Sequence, residues 1–429
     1  MKRFLLSTMI FLVSCMLLTA GGAKEEKEKV TLWHSSQGSA LTTFEEIVDT
    51  FNETIGEEKG IVIEAVYQGK ANDVLTKVNA AQGTSTLPDI AMMDATAALD
   101  MNNTDSIVTI EKLGIDTSSI LPVALASFTS EKGTIALPFN ASALLYYYNK
   151  TLYDEKGLSS PLTIDDMTSS APILGEKDAG GSLTVSAFSG IPTTYELTYF
   201  IAQQTGGTYL VNNRNGHDGT ATEVLFGKEG TYRAFLEKWQ KLFETGYCDA
   251  LSSGVSDDFI AGRTAAMLAS SSNLTRILSS VGDSFEVGVS RVPLVNETSN
   301  GKAVASGGAL FAFTESEAVK TVLEYLVSPD VQAKWSEETG YVPVNMETYT
   351  SEAYSAFLSN NPLYRTALDY LVESDGSMVN VWLPSAYTIY YSFQKNVADV
   401  VNGTLSVDDA VTAMEKTVQD ALDTYNRQN

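Results

Sequence analysis

The side chains best suited to chemistry follow predicted strands at the points where those strands end. Ser35 and Gln37 lie in a polar loop after the strand Val30–Trp33, and Asp94 ends the third predicted strand. Because ligands gather beyond the carboxyl ends of parallel strands, we expect these hydroxyl, amide and carboxylate groups to contact a small molecule. Two simpler interpretations stay open at this point. Ser39 could cap the helix that follows the loop, and Asp94 could cap a helix of its own.

Groups for catalysis and for metal binding are few. A glycosidase would need a pair of carboxylates, and Asp94 has no plausible partner in the sequence. Neither a GxSxG nor an HExxH motif occurs. The two histidines, His34 and His217, are not spaced as metal ligands, and we expect each to be a polar loop residue. We therefore expect a protein that is not an enzyme and that uses no metal or cofactor, with a secreted glycoside hydrolase as a remote alternative.

The elements that would position the polar groups alternate between strand and helix. The strands Val30–Trp33 and Ile61–Tyr67 are each followed by an amphipathic helix, the second of them at Asn72–Ala81. This alternation predicts a largely parallel sheet. Farther along, Ser182–Phe188 is predicted to be a strand, and Tyr232–Phe243 has the apolar spacing of a helix that packs on the core.

The stretch Leu137–Tyr153 is the segment around which the rest is arranged. Leu144–Tyr148 is bulky and largely aromatic, which is typical of a strand buried on both faces. The small polar step Asn140–Ser142 before it gives the backbone room to carry the chain from one lobe to another. The alternative is a buried strand that simply begins with a tight turn.

The first residues are typical of an export signal. Lys2 and Arg3 precede the apolar run Phe4–Leu18, and small residues follow up to Ala23. Cleavage near Ala23 is one interpretation. The other is lipoprotein processing, because Leu12-Val13-Ser14-Cys15 resembles a lipobox that would leave Cys15 acylated. Either way we expect the mature protein in the periplasm or at the outer face of the cytoplasmic membrane, free or lipid-anchored.

Length and charge limit the classes of protein that remain. A chain of 429 residues suits two lobes rather than one core. The formal charge of −25 disfavours nucleic acid and anionic membranes as partners. Once Cys15 is removed or lipidated, Cys248 is the one cysteine left, so no internal disulfide is expected.

Eight short pieces of the sequence, in order, resemble extracytoplasmic solute-binding proteins of ABC importers, family 1, which include maltose and glycerol-3-phosphate binders. The pieces are WHSSQG, LPDIAMMD, LPFNASALLYYYNKTLY, FIAGRTAAM, ASGGALFAF, LVSPDVQAKW, TGYVPVN and NGTLSVDDAVTAMEK. The pieces WHS, PFN-x-S, GGA and TGY are most similar to the glycerol-3-phosphate branch. The resemblance implies a monomer that delivers a small-molecule ligand to the transmembrane subunits of a permease.

The resemblance also implies a fold. This is the α/β, two-lobed periplasmic-binding-protein fold (type II), in which each lobe is a mainly parallel sheet flanked by helices and the ligand lies between the lobes. Crossovers are expected near Asn140, Ser306 and Val342. The predicted division is a signal peptide at 1–23, a charged tether at 24–29, a first lobe at 30–139 and 306–342, a second lobe at 140–305, and C-terminal helices at 343–429 that pack mainly on the second lobe.

By the same similarity, several residues match positions that line the ligand site of the glycerol-phosphate branch. They are Ser142, Ser270, Ser271, Gly308 and Tyr341.

One departure from that branch bears on the ligand. The branch has a phosphate-binding arginine in a late proline-containing segment, and this chain has Tyr387 at the matching position. A desolvated phosphate needs a fixed cation, which a tyrosine cannot supply. Tyr387, Tyr341 and Tyr195 instead offer flat faces with polar tips, which suit the C–H faces of sugars. We therefore expect a neutral sugar or short oligosaccharide, with glycerol-3-phosphate or a glycerophosphodiester as the alternative.

Overall fold

The structure is a computed structural model that describes residues 27–204, 209–298 and 301–428. The predicted signal peptide, the tether up to residue 26 and the lipidation candidate Cys15 lie outside the described residues. Within the described residues, no helix is both long enough and apolar enough to cross a bilayer.

The first five-stranded sheet combines four strands from residues 28–138 with one strand from much later in the chain. Its strands, in spatial order, are Ile61–Tyr67, Glu28–His34, Ile90–Asp94, Gly308–Ala312 and Leu137–Pro138. Four of them run in one direction, and Gly308–Ala312 runs antiparallel between its two neighbours. The predicted parallel character of the sheet is confirmed, and Asp94 ends its strand directly opposite Gly308.

The second five-stranded sheet has the same arrangement. Its strands, in spatial order, are Cys248–Asp249, Phe188–Ser189, Ala266–Ser270, Leu144–Asn149 and Val287–Arg291. Here Leu144–Asn149 is the antiparallel strand, and its first four residues are fully buried, as its composition predicts. The single strand predicted over Ser182–Phe188 is wrong. Leu183–Val185 pairs in a separate hairpin with Glu176–Lys177, and only Phe188–Ser189 joins the large sheet.

Helices cover the two sheets. They span Ser39–Glu53, Ile55–Lys59, Ala71–Ala81, Ala98–Asn102, Pro122–Ala126, Lys150–Glu155, Ile164–Leu174, Thr194–Ala202, Thr231–Glu244, Val255–Ile260, Leu274–Val281, Glu317–Leu326, Pro329–Thr339, Glu352–Asn360, Pro362–Val372, Ala386–Val401 and Val407–Gln428. The helix Thr231–Glu244 buries Phe235, Leu236 and Trp239 in the core, as predicted. Three-residue and five-residue 3₁₀ turns lie at Ala95–Ala97, Ser271–Asn273 and Met346–Thr350.

Three segments run side by side between the two sheets. Ala141 pairs with Val342, and Ser142 pairs with Ser306, through backbone hydrogen bonds of 2.6–3.1 Å. The side chain of Asn140 accepts a hydrogen bond from the Gly308 amide at 2.6 Å. We call residues 140–142, Ser306 and Val342 the hinge strands. Residues 140–142 are the middle one, since they bond to both of the others.

The last helices pack mainly beside the second sheet. Ala386–Val401 contacts the helices Thr194–Ala202 and Thr231–Glu244, and Val407–Gln428 packs on Thr231–Glu244 and Ala386–Val401. Pro362–Val372 lies against the strand Val287–Arg291. This packing fixes the start of Ala386–Val401 at the opening between the sheets.

Candidate functional site

A cavity of about 470 Å³ lies where the strand ends of the two sheets meet the hinge strands. We call it the first chamber. Its volume falls within the range of small-molecule sites. Its walls are formed by Ser35, Ser36, Gln37, Ala40, Ala71, Met92, Met93, Asp94, Asn140, Ser142, Tyr195, Ser270, Ser272, Ser306, Gly307, Gly308, Trp335 and Tyr341.

A second cavity of about 340 Å³ adjoins the first. This second chamber shares Asp94, Tyr195 and Ser306 with the first. Its other walls are formed by Ala95, Thr96, Thr194, Thr198, Asn380, Val381, Leu383, Ala386, Tyr387, Tyr390 and Tyr391. The two chambers therefore adjoin at a common wall, and we call them together the cleft.

The structure brings almost all of the predicted site residues to this cleft. The first chamber contains Ser35, Gln37, Asp94, Ser142, Tyr195, Ser270, Gly308 and Tyr341, and Tyr387 lines the second chamber. These residues come from distant parts of the sequence and from both sheets, so the fold alone places them together.

Ser271 is the predicted site residue that lines neither chamber. Its side chain is buried, and its hydroxyl accepts a hydrogen bond from the Ala143 amide at 3.2 Å. The chain turns into a 3₁₀ helix at Ser271–Asn273, and this turn presents Ser272 to the first chamber instead. Ser271 therefore joins the strand to the hinge region rather than facing a ligand.

Asp94 is both a cap and a wall of the cleft. One carboxylate oxygen accepts hydrogen bonds from the Thr96 amide at 2.9 Å and from the Thr96 hydroxyl, so Asp94 caps the turn Ala95–Ala97. Among the described residues that line the two chambers, it is the only charged side chain. The carboxylate can still accept hydrogen bonds from a ligand, because each of its oxygens has more than one lone pair.

The alternative interpretation for Ser39 is also wrong. Gly38 occupies the cap position with φ +59°, and Ser39 is the exposed first residue of the helix. No side-chain hydrogen bond caps this helix. The loop before it contributes Ser35, Ser36 and Gln37 to the first chamber.

Two wall residues each have a buried polar atom without a hydrogen-bond partner. They are the hydroxyl of Thr194 and the indole N–H of Trp335. A buried polar group without a partner is costly. The hydroxyl of Tyr195 is buried beside the hydroxyls of Tyr199 and Ser142, and burial raises the pKa of Tyr195 well above its usual range, so it keeps its proton.

Aromatic rings form part of both chambers. Tyr341 stacks near Trp335, with ring centroids 6.0 Å apart and an interplanar angle of 27°. Burial raises the pKa of Tyr341, the Ser272 hydroxyl opposes this shift and Asp94 adds to it. Burial and then Asp94 also raise the pKa of Tyr387. Both hydroxyls are therefore protonated at neutral pH and can donate a hydrogen bond.

Several wall residues are absent from the sequence predictions. Tyr387, Tyr390 and Tyr391 stand at helical i, i+3 and i+4 positions, so the spacing that places Tyr387 in the cleft could have identified the other two. Asn140 and Ser306 are predicted as crossover residues but not as walls. Trp335 carries no such signal, since nothing in its helix distinguishes it from a core tryptophan.

The expectation of a loop position is wrong for His34 and holds for His217. His34 ends the strand Glu28–His34 and is buried between Phe44 and Tyr67. His217 lies in the turn after residue 216, where it is buried against Trp382 with ring centroids 4.0 Å apart. Among the described residues, no group of three metal-binding side chains comes together.

Comparison with known proteins identifies the family. The family described as bacterial extracellular solute-binding protein matches residues 46–366. The chain is 25% identical over 415 residues to the sn-glycerol-3-phosphate-binding periplasmic protein UgpB of Yersinia pestis, an alignment that covers 92% of this chain and 90% of that protein.

Solved structures share the fold. The cyclic alpha-maltosyl-1,6-maltose binding protein of Arthrobacter globiformis has a TM-score of 0.74 at 23% identity, covering 92% of this chain and 99% of that one. UgpB of Mycobacterium tuberculosis, solved in complex with glycerophosphocholine, has a TM-score of 0.75 at 19% identity. The match covers 93% of this chain and 99% of that one. The predicted family resemblance and the two-lobed fold are thus confirmed, and the chain belongs to the bacterial extracellular solute-binding protein family.

Proposed function

We propose that this protein is the substrate-binding component of an ABC importer and that it captures a neutral sugar or a short oligosaccharide. The observation that carries the proposal is the composition of the cleft. Its described walls combine hydroxyl groups, amides and aromatic rings with one carboxylate, Asp94, and contain no cation. Such a surface suits a neutral ligand with many hydroxyl groups.

The described walls of the cleft disfavour a phosphate for two reasons. A phosphate removed from water needs a nearby cation or a bidentate partner, and no described wall residue supplies either. Asp94 would also repel it. Sugar hydroxyls carry neither penalty, because they can donate to Asp94 and exchange hydrogen bonds with Gln37, Ser142 and Ser270, while Tyr341 and Tyr387 cover apolar C–H faces.

Glycerol-3-phosphate or a glycerophosphodiester is the second candidate. It is supported by the similarity to UgpB of Yersinia pestis, which extends over nearly the whole chain. The helices that begin at Thr194 and Ala386 also present their first residues to the second chamber, and helix N-termini favour anions. Tyr387 argues against this candidate, because it stands where the related branch has its arginine.

Closure of the two lobes and delivery of the ligand to a permease complete the proposed function. The first lobe would comprise 30–139 and 306–342, the second 140–305, and the hinge strands would let them close on the ligand. The partners would be the ligand and the transmembrane subunits of a permease, with the monomer held outside the cytoplasmic membrane, free or anchored through Cys15. Catalysis is not part of the proposal, since a glycosidase would need a second carboxylate beside Asp94 and the described walls contain none.

A thermal-shift panel tests the proposal. The mature protein would be unfolded, stripped of bound ligand, refolded and mixed with neutral mono- and oligosaccharides, polyols and their phosphates. A neutral sugar at a hundredfold excess over Kd should stabilise the protein by about 2.7 kcal/mol. Stabilisation by glycerol-3-phosphate or glycerophosphocholine, with no response to any neutral sugar, would favour the second candidate.

A further inference from the structure

We propose that residues 212–219 form a pH-sensitive latch, in which neutral His217 holds the C-terminal segment 379–383 against the first sheet and protonated His217 releases it. We call residues 212–219 the latch loop. The juxtaposition that supports the proposal is a single buried imidazole ring between two backbone carbonyls from distant parts of the chain. The latch lies apart from the hinge strands, and its action does not depend on which ligand the cleft binds.

One side of the latch is a hairpin that belongs to the layer of the first sheet. The hairpin consists of Thr129–Ser130 and Gly133–Thr134. Phe128, directly before it, packs on Phe311 of the first sheet, with the two rings edge to face and their centroids 5.9 Å apart. This packing fixes the hairpin to the first sheet.

The other side of the latch is joined to the helices beside the second sheet. The amide of Leu225 donates to the carbonyl of Leu210, at the start of the latch loop, at 2.9 Å. The next residue, Phe226, packs on Phe393 of the helix Ala386–Val401, with ring centroids 5.5 Å apart. The latch loop therefore belongs to the layer of the second sheet, although it contacts the hairpin of the first.

Trp382 carries the C-terminal segment into the core of the first sheet. It is fully buried in a cluster that includes Phe128 and Phe311, and among the described residues buried in that cluster it alone comes from beyond residue 311. Its backbone N–H donates to the Asn215 carbonyl at 3.0 Å, and its ring lies against that of His217. The latch loop thus holds the one side chain by which the segment is inserted into this core.

The backbone of the latch loop is strained. Residues 213–215 all have left-handed conformations, with φ between 49° and 57°, and none of them is glycine. Asn215 is fully buried, and its side chain accepts a hydrogen bond from the Leu210 amide at 2.8 Å and donates one to the Val379 carbonyl at 2.9 Å. Such strain persists only where the surrounding structure imposes it, and it is concentrated at clamps and switches. The loop is therefore shaped to place His217 rather than only to connect two elements.

His217 cannot satisfy both of its carbonyl neighbours while it is neutral. Its Nδ1 lies 3.0 Å from the Thr129 carbonyl oxygen, and its Nε2 lies 2.8 Å from that of Asn380. A carbonyl only accepts and a neutral imidazole has one N–H, so one ring nitrogen points a lone pair at an oxygen. An imidazolium would donate to both carbonyls, but burial lowers the pKa of His217 to about 4, although the two carbonyls oppose this shift. At neutral pH one hydrogen bond therefore holds the ring.

The charged groups around the ring offset one another. Arg214 lowers the pKa of His217 and Asp218 raises it, and these two side chains pair at 3.1 Å. The amide of Glu131 in the hairpin donates to the His217 carbonyl at 3.3 Å. The C-terminal segment 379–383 has no charged side chain. The charged residues of the latch loop and the hairpin are Arg214, Asp218, Glu131 and Lys132. Burial therefore decides in which direction the pKa moves.

Acid should open the latch. A ring that leaves the two carbonyls for water regains a pKa of about 6.5, whereas the pKa of His217 in the closed latch is about 4. Between these values the open form binds a proton and the closed form does not, so the latch is intact above pH ~6.5 and weakens as the pH falls towards ~4. The ratio of open to closed latch should be roughly thirtyfold higher at about pH 5 than at about pH 7.5. Since residues 379–383 line part of the second chamber, opening would loosen that wall.

Hydrogen–deuterium exchange of the ligand-free protein measures this opening. Protection factors, corrected for the intrinsic exchange rate, would be compared at about pH 7.5 and about pH 5 for peptides that cover 128–135 and for the core strand Ile90–Asp94. We expect protection of the hairpin, whose Glu131 amide bonds across the latch, to fall roughly tenfold to thirtyfold at the lower pH. Protection of the strand should stay within about twofold. Emission from Trp382, taken as the difference from Trp382→Phe, should shift to the red as the side chain leaves the core.

Two variants assign the effect to one histidine. His217→Gln cannot titrate but keeps an amide that can donate to the Asn380 carbonyl, so its hairpin protection should agree within about twofold at the two pH values. His34→Gln is the matched control. His34 is the other histidine of the sequence, and it is also buried but packs between Phe44 and Tyr67. This control should keep the pH dependence of the unmodified protein.

Three results would overturn the latch. The first is equal protection of the hairpin at both pH values in the unmodified protein, and the second is a pH dependence in His217→Gln as large as that of the unmodified protein. The third is an equal loss in the hairpin and in Ile90–Asp94, which would mean that the whole fold responds to acid. Should His217→Gln not fold, as judged by its melting transition, His217→Asn replaces it, and the comparison on the unmodified protein decides by itself. None of these results involves a ligand, so the failure of the latch and the failure of the proposed function are distinguishable.

Discussion

Replacing Asp94 with asparagine should weaken the binding of a neutral sugar and strengthen the binding of a phosphate. The substitution therefore distinguishes the two candidate ligands. The substitution removes the one charge in the described walls of the cleft and changes almost nothing else. Asparagine is as good a cap as aspartate, so its amide oxygen can still accept the hydrogen bond from Thr96. We therefore expect the folded structure to survive.

The expected size follows from the charge that is lost, since a sugar hydroxyl can still pair with the asparagine amide. A hydrogen bond to a charged group contributes about 1.5–3 kcal/mol and one to a neutral group about 0.5–1.5 kcal/mol, and about 1.4 kcal/mol corresponds to a factor of ten. Asp94→Asn should thus weaken binding of a neutral sugar by roughly fivefold to tenfold. A phosphate about 5 Å from the Asp94 carboxylate would be repelled by up to roughly 3 kcal/mol at an effective dielectric constant of about 20. The same substitution removes this repulsion, so a phosphate should bind more tightly to the variant.

Isothermal titration calorimetry of the ligand-stripped Asp94→Asn variant measures whether each ligand binds more tightly or more weakly than to the unmodified protein. Asp100→Asn is the matched control, because Asp100 is a nearby carboxylate that bonds to Asn79 and lines neither chamber. Unchanged sugar affinity in Asp94→Asn would refute the role given to this carboxylate. Tighter binding of glycerol-3-phosphate in the variant, without any sugar response, would refute the choice of ligand class.

Three further predictions concern the hinge and the mature chain. Saturating sugar should reduce the radius of gyration as the lobes close, and identical scattering profiles with and without sugar would contradict closure. Gly307→Ala should lower the free energy of unfolding by about 1–3 kcal/mol in denaturant titrations, because Gly307 has φ +140° and an added Cβ would lie 2.1 Å from the Asn140 carbonyl oxygen. Gly308→Ala is the control, since its Cβ would meet nothing closer than 3.6 Å, and equal loss in both variants would argue against the strain. Mass spectrometry of exported protein should show a chain that lacks residues 1–14 or 1 to about 20, with a fatty-acyl mass on Cys15 in the first case, and an intact Met1 would contradict export processing.

The parts of the fold that repeat along the chain are predictable from the sequence. Strands and helices alternate, and the spacing of their apolar residues identifies each of them. The parallel sheet, and the edge at which its strands end beside a ligand, therefore follow from local patterns. Asp94 and the loop at Ser35 and Gln37 come to the cleft for that reason. Of the three hinge strands, only the one at Asn140 has a local signal, since small polar residues there precede a strongly apolar strand. The crossovers at Ser306 and Val342 are expected from the family resemblance alone.

The missed residues depend on packing between distant segments. Ser271 and Ser272 are neighbours with the same side chain, and only the 3₁₀ turn decides which of them faces the cavity. Trp335 reaches the first chamber because its helix packs against the helix Ser39–Glu53, a contact that no local pattern encodes. His34 and His217 are buried by aromatic neighbours that lie far away in the sequence.

We expect the cleft to bind a neutral sugar and not a phosphate. Parallel calorimetric titrations of the unfolded, stripped and refolded protein with the best neutral sugar of the panel and with glycerol-3-phosphate distinguish the two ligands. The arrangement around Asp94 predicts saturable binding of the sugar and no measurable heat with glycerol-3-phosphate. Micromolar binding of glycerol-3-phosphate, with no heat from any neutral sugar, would contradict it.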